Sequence, residues 1–266
     1  MEQISLIIPA HNEEKRIGRM LESYGSFFEE KKKRKEISNF EILVVINGTT
    51  DRTEDVVKSF VKKYHEIRYL NFPKLAAKGL AIIEGFKDEL KRKNEFIGFV
   101  DADMSTSPNA FYELVRNIKN YDGVIANRWV KGSIMTPKQS LIRRIISRGG
   151  NFIVRTLFLF PYSDTQCGAK LFKRKLLEKN INKLITINWG FDIALLYCFK
   201  KEDHARIKSI PTVWHDKAGS KLDIKKTPLR TLMSIIRLRL IHSPFRFIVR
   251  FYRKIKILYL TYKKLL

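Results

Sequence analysis

The sequence is short of cysteine, of acidic residues and of long uninterrupted apolar runs. Its 266 residues include only 2 Cys, Cys167 and Cys198, which excludes a disulfide framework and paired zinc-type spacings. Two free thiols in a reducing compartment are expected, and nothing beside Cys167 points to an activated thiol. No uncharged apolar stretch reaches the roughly 18–20 residues that span a bilayer, so no transmembrane helix is expected. Residues 1–5 lead straight into an apolar run, and no signal peptide is expected there. There is no internal repeat and no low-complexity linker. The acidic deficit is large: 27 Asp and Glu against 52 Lys and Arg, a net charge of +25. It is also one-sided. Residues 1–133 hold 23 of the Lys and Arg and 20 of the Asp and Glu, so nearly all the excess lies in the second half. A basic half implies an anionic partner, with nucleic acid and anionic lipid as the two candidates. Plain solubility is the competing explanation.

What is present is a core. Hydrophobic residues make up 44% of the chain, enough for one large domain or a domain with an appendage. Apolar runs at 4–9, 42–46, 67–70, 96–100 and 123–126 read as short buried strands. Helical spacing separates them: Ile17, Met20, Leu21, Tyr24 and Phe28; then Val56, Val57, Phe60, Val61 and Tyr64; then residues 78–93. Lys31–Lys35 reads as a solvated helix end or loop, and Pro108 suits the first turn of a further helix. Alternating strands and helices predict a mostly parallel sheet covered on both faces. In such sheets ligands bind outside the carboxyl ends of the strands. Polar clusters fall there: His11-Asn12-Glu13, Asn47-Gly48-Thr49 and Asp101-Ala102-Asp103.

Residues 138–160 read as a helix with arginines among apolar positions, and residues 164–222 return to mixed α/β. From Pro228 the chain is basic and amphipathic to its last residue, broken by Pro244 into two helices. The expected division is therefore a domain at 1–227 and membrane-surface helices at 228–266. An ordinary C-terminal helix packed on the domain is the alternative. Part of this tail could also dock an integral membrane partner or a second subunit.

Asp101 and Asp103, separated by one small residue after a buried strand, suit a hard cation such as Mg²⁺ or Mn²⁺. One or two carboxylates plus phosphate oxygens suffice to hold it. The competing reading is a loop whose acids cap the next helix, where Ser105, Thr106 and Ser107 could also cap. His65, His204 and His242 read as surface or packing residues. Trp129, Trp189 and Trp214 could stack on a sugar, but core or interface roles are commoner.

The ordered runs Ile7-Ile8-Pro9-Ala10-His11-Asn12-Glu13, Val44-Val45-Ile46-Asn47-Gly48-Thr49-Thr50-Asp51-Arg52-Thr53, Lys78-Gly79 and Val100-Asp101-Ala102-Asp103 resemble the family 2 glycosyltransferases. Ala126-Asn127-Arg128, the stretch from Asp164 to Phe172, Gly190-Phe191-Asp192, Ile210-Pro211-Thr212-Val213-Trp214 and Gly219-Ser220-Lys221 resemble its dolichyl-phosphate mannose and glucose synthase branch. The resemblance covers roughly residues 3–240. It implies a GT-A, Rossmann-like fold and an enzyme that moves a hexose from UDP-glucose or GDP-mannose to a dolichyl or polyprenyl phosphate, with inversion, at the cytoplasmic face of a membrane. It implies that Pro9, His11, Glu13 and Asn47 lie near the base and ribose. Lys78 would approach the donor phosphates, and Asp101 and Asp103 would bind the metal beside Ala102. Arg128, Arg143 and Ser147, joined by Lys221, would hold the lipid phosphate. Asp164 could serve as an acid or orient an arginine or sugar hydroxyls. This chain has Ile46-Asn47-Gly48-Thr49 where the family often reads Asp-Asp-Gly-Ser, which leaves the base open.

Three rivals stand beside this reading. A transferase with a soluble or protein acceptor shares the donor site. A catalytically idle scaffold is opposed by the intact acidic pair. A nucleic-acid-binding protein is permitted by charge, but no zinc-finger, RNP-type or Gly-X-X-Gly signature is present and no nucleic acid is expected.

Overall fold

The computed structural model describes residues 2–74, 77–137, 140–184, 190–216, 226–244 and 247. The apolar runs are strands: β1 (Gln3–Ala10), β2 (Asn39–Asn47), β3 (Ile67–Phe72), β4 (Phe96–Phe99) and β5 (Gly123–Asn127). Helices α1 (Ile17–Lys33), α2 (Thr53–Lys63), α3 (Lys78–Glu89) and α4 (Pro108–Asn117) connect them. Then come β6 (Ile134–Thr136), α5 (Leu141–Phe158), β7 (Lys170–Lys173), α6 (Arg174–Asn180), α7 (Phe191–Asp203), β8 (Ile207–Pro211), β9 (Val213–His215) and α8 (Lys226–Ile241). Helix α1 buries Ile17, Met20, Leu21, Tyr24 and Phe28 on one stripe. It ends in Lys31, Lys32 and Lys33, whose charges suit the negative end of the helix dipole.

Seven strands form one sheet in the order β3-β2-β1-β4-β7-β5-β8. All run parallel except β7, which lies antiparallel between β4 and β5. Helices cover both faces, and alternate residues feed two cores. From β2, Ile42, Val44 and Ile46 point into one, with α1, α2 and α4; Leu43 and Val45 point into the other. The second core also receives α3, α7 and α8. Strand order reverses at β1, where β2 lies on one side and β4 on the other. That reversal opens a crevice at the carboxyl ends of the strands.

The boundary expected at 227/228 falls inside the first turns of α8. That helix buries Ile235 and Leu238 in the second core, so its described part is built into the globular body. Beyond Pro244 the expected second tail helix lies outside the described residues, apart from Phe247. Among the described residues no helix is long and apolar enough to cross a membrane.

Candidate active site

The loops after β1 and β2 are stitched together. His11 Nδ1 donates to the Asn47 carbonyl at 2.8 Å. Asn12 Oδ1 accepts from the Thr50 amide at 2.8 Å, and the Glu13 amide donates to Thr53 Oγ1 at 2.8 Å. Asn12 itself adopts a left-handed conformation, φ 55°. Pro9 pairs with Val45 within the sheet, and Asn47 is buried. The structure thus brings Pro9, His11, Glu13 and Asn47 to one strand edge. The Glu13 carboxylate is held by Arg16 at 2.6 and 2.7 Å.

Asp101, Ala102 and Asp103 follow β4 at the same edge. The next helix is capped by Ser107, whose hydroxyl accepts from the Ala110 amide at 3.2 Å, so capping α4 does not require the acids. Asp103 accepts from the Ser105 amide at 2.9 Å, and Met104 between them is held at φ 60°. A non-glycine residue in that conformation costs energy and persists only where its surroundings impose it.

Asp101 begins a chain of alternating charge. Its carboxylate forms an ion pair with Lys78 at the start of α3. Asp192, in the first turn of α7, binds Lys170 Nζ at 2.5 Å. Lys170 is fully buried and also donates to the Cys167 carbonyl at 2.6 Å. Gly79 lets α3 and α7 approach: a β-carbon there would fall 2.7 Å from Phe191 Cγ. Lys78 and Asp192, one on each helix, interact electrostatically. Gly168 likewise leaves room for Asp101, since a β-carbon at 168 would fall 2.0 Å from Asp101 Oδ2.

Desolvation pulls the Lys78 ammonium down, but the charges of Asp101 and Asp192 together hold it above the ordinary lysine range. Asp101 gains less from the pair. Burial raises its carboxyl, Lys78 offsets only part of this, and the like charges of Asp103 and Asp192 push it further up. Burial alone would raise Asp192, but Lys170 and Lys78 hold it below the ordinary carboxylate range.

Arg128, just past β5, grips Asp164 with Nε at 2.7 Å and Nη2 at 2.9 Å, while its amide reaches the same carboxylate at 3.1 Å. Asp164 is fully buried; burial opposes its charge, yet Arg128 depresses its pKa. Of the two readings left open for Asp164, this geometry fits a residue that orients an arginine, because a depressed carboxyl is a poor acid or base. Cys167 is pushed up to about 12 by burial, which leaves its thiol inert.

Two of the other expected phosphate ligands lie on α5. Arg143, on α5, pairs through Nη1 with Asp216 at 2.9 Å. Ser147 stands one turn along α5, where its carbonyl accepts from Asn151 Nδ2 at 3.0 Å. Lys221 and Trp189 lie outside the described residues. Lys170, Asp192 and Gly168 were present in motifs without an assigned role. No local signal marks Lys170, because β7 carries lysine at both ends.

A twisted α/β sheet with its polar clusters gathered at the carboxyl ends, and an acidic pair after β4, define a GT-A type transferase fold. The model of glycosyl transferase family 2 matches residues 5–181. The chain is 30% identical over 244 residues to the dolichyl-phosphate beta-glucosyltransferase of Dictyostelium discoideum, covering 89% of this chain and 73% of the relative. It is 29% identical to the Homo sapiens enzyme of the same name, covering 83% and 70%, and 27% identical to that of Saccharomyces cerevisiae, covering 89% and 74%. Among solved structures, glucosyl-3-phosphoglycerate synthase from Mycobacterium tuberculosis, in complex with Mn²⁺, UDP and phosphoglyceric acid, shares the fold with a TM-score of 0.63 at 16% identity, covering 90% of this chain and 78% of that one. The chain belongs to glycosyl transferase family 2.

Proposed function

We propose that the protein transfers glucose from UDP-glucose to a dolichyl-type polyprenyl phosphate at a membrane surface, inverting the configuration at C1. The observation that carries this reading is the run of alternating charge from Asp103 and Asp101 through Lys78, Asp192 and Lys170, with Arg128 on Asp164 at the same sheet edge. Such a run suits two phosphate-bearing ligands brought together. The names of the relatives support glucose and dolichyl phosphate, and the UDP complex of the structural neighbour supports a uridine donor.

Asp101 and Asp103 fit a divalent cation, being hard oxygen donors one residue apart at the end of β4. Among the described residues no group of three or more His, Cys, Asp or Glu forms a full cage, which suits a metal completed by diphosphate oxygens. When bound, Mg²⁺ or Mn²⁺ supplies positive charge to the departing diphosphate.

The chain's own residues do the rest. The acceptor phosphate, with a second pKa of about 6, is largely dianionic at neutral pH and needs no strong base. One of its oxygens bonds to C1 as the bond from C1 to the diphosphate oxygen breaks, and UDP leaves. Lys78, kept charged by two carboxylates, stabilises the leaving diphosphate electrostatically. Arg128, fixed by Asp164, offsets repulsion between the two phosphates and orients the nucleophile. His11, Glu13, Asn47 and Pro9 form the floor for the nucleoside. Asp103→Ala is expected to abolish transfer, measured as Mn²⁺-dependent formation of acid-labile lipid-linked glucose, while circular dichroism stays unchanged. Retained turnover in that variant would refute the metal assignment, and transfer to a soluble acceptor alone would refute the lipid.

A further inference from the structure

Two indole N–H groups near Arg128 have no acceptor among the described residues. Trp214 is 7% exposed, and its Nε1 is buried without a hydrogen-bond partner among the described residues; Trp129 Nε1 is in the same state. An unmet buried donor is costly, and native proteins seldom leave one unless a ligand or water completes it. Both rings belong to one assembly. The Arg128 guanidinium lies 5.0 Å from the Trp214 ring and 5.8 Å from that of Trp129, and Arg148 lies 5.2 Å from Trp129. Backbone contacts tie Trp214 to the acidic loop: it bridges Thr106, and the His215 amide donates to the Ser105 carbonyl at 2.8 Å.

Arg148 differs from Arg128 and Arg143. Arg128 and Arg143 are each taken by a carboxylate, whereas Arg148 is exposed and pairs with none among the described residues. One turn on, Asn151 Oδ1 accepts from the Thr165 amide at 3.2 Å, which fixes this part of α5 against the Asp164 loop. Ile145 and Phe152 fall at helical spacing on either side of Arg148 and are 61% and 68% exposed. A cation, two unmet donors and a flanking apolar ridge together describe a receptor for an amphiphilic monophosphate.

We infer that Arg148, with the indole N–H groups of Trp129 and Trp214, receives the phosphate of the acceptor, and that the prenyl chain runs along Ile145 and Phe152. This rests on the proposed lipid acceptor and names the residues that recognise it. It names Arg148, in place of Arg143, because Arg148 is the α5 arginine that lies against Trp129.

The test is steady-state kinetics with a short prenyl phosphate as acceptor, UDP-glucose as donor and inorganic phosphate as competitor. Arg148→Met and Trp214→Phe, which keeps an aromatic ring but removes the indole N–H, are expected to raise the acceptor KM about tenfold or more, as for loss of a hydrogen bond to a charged group. The donor KM should stay within about twofold, and inhibition by inorganic phosphate should weaken in parallel. Phe152→Ser is expected to raise the acceptor KM while leaving inorganic phosphate inhibition unchanged, which separates the lipid chain from the phosphate. Arg148→Met lies on an exposed helix face and reads out the site even if a tryptophan variant folds poorly. An acceptor KM unmoved in Arg148→Met, or a donor KM raised equally, overturns the inference. Failure of the wild-type chain to use any prenyl phosphate would instead remove the proposed function, and this inference with it.

Discussion

At the scale of single residues, Gly168 shows how little room surrounds Asp101. The position does not need glycine for its backbone angles; it needs the absence of a β-carbon, which would fall 2.0 Å from Asp101 Oδ2. Gly168→Ala should drive the Asp101 carboxylate out of its pairing with Lys78. Overpacking of this kind costs about 1–3 kcal/mol of stability. The larger effect should be on turnover, because a displacement of about 1 Å in a catalytic group can cost ~10²-fold in rate. Thermal melting and kcat measured on the same preparation separate the two. Turnover within about twofold of wild type would mean that the placement of Asp101 is not needed for the chemistry.

At the scale of elements, the joint between β5 and the loop before β7 is the Arg128–Asp164 pair. Both side chains are largely withdrawn from water, with side-chain exposures of 13% and 0%. Breaking one partner of a buried pair leaves an uncompensated charge, and Asp164→Asn should destabilise the fold by about 3–5 kcal/mol. The pH dependence has a definite sign. Asp164 is held below its ordinary value of 3.8, so the pair contributes stability in full above that value. The contribution is lost as pH falls through the depressed folded value. Urea denaturation of wild type and Asp164→Asn should therefore differ by a constant amount from pH 5 to 8 and converge below about pH 4. A gap that widens with acid would contradict the pairing.

The first five strands and first four helices were legible because each carries its own period: continuous apolar runs for β1, β2 and β4, and a repeating stripe from Ile17 to Phe28 for α1. The acidic pair was legible because it sits in sequence where a buried strand stops. Strand β7 was not. Its four residues, Lys170–Lys173, have lysine at both ends, and nothing local shows that Lys170 meets Asp192, 22 residues on. The same reason hid the surroundings of Arg143 and Arg148. Both are arginines on one helix, and only the fold shows that Asp216 occupies the first while Trp129 lies beside the second.

At the scale of the whole molecule, the excess of positive charge and the exposed apolar residues belong to the same half of the chain. On α5, Leu141, Ile145 and Phe152 are each more than 60% exposed, and Met233 and Ile236 stand out from α8. Residues 245–266 add seven Lys and Arg and no Asp or Glu. A basic residue near an anionic bilayer contributes about 1 kcal/mol, so a few of these seven exceed a tenfold change in binding. Deleting residues 245–266 should therefore weaken sedimentation with anionic vesicles at least about tenfold, leave UDP-glucose affinity unchanged and remove most of the salt dependence. The apolar ridge on α5 should retain a weak, salt-insensitive association with neutral vesicles, because burial of apolar side chains does not depend on ionic strength. If full-length protein binds neutral and anionic vesicles equally, charge is not what brings this enzyme to its lipid. If truncation lowers donor affinity as much as vesicle binding, the tail belongs to the catalytic domain, and the basic excess needs another partner.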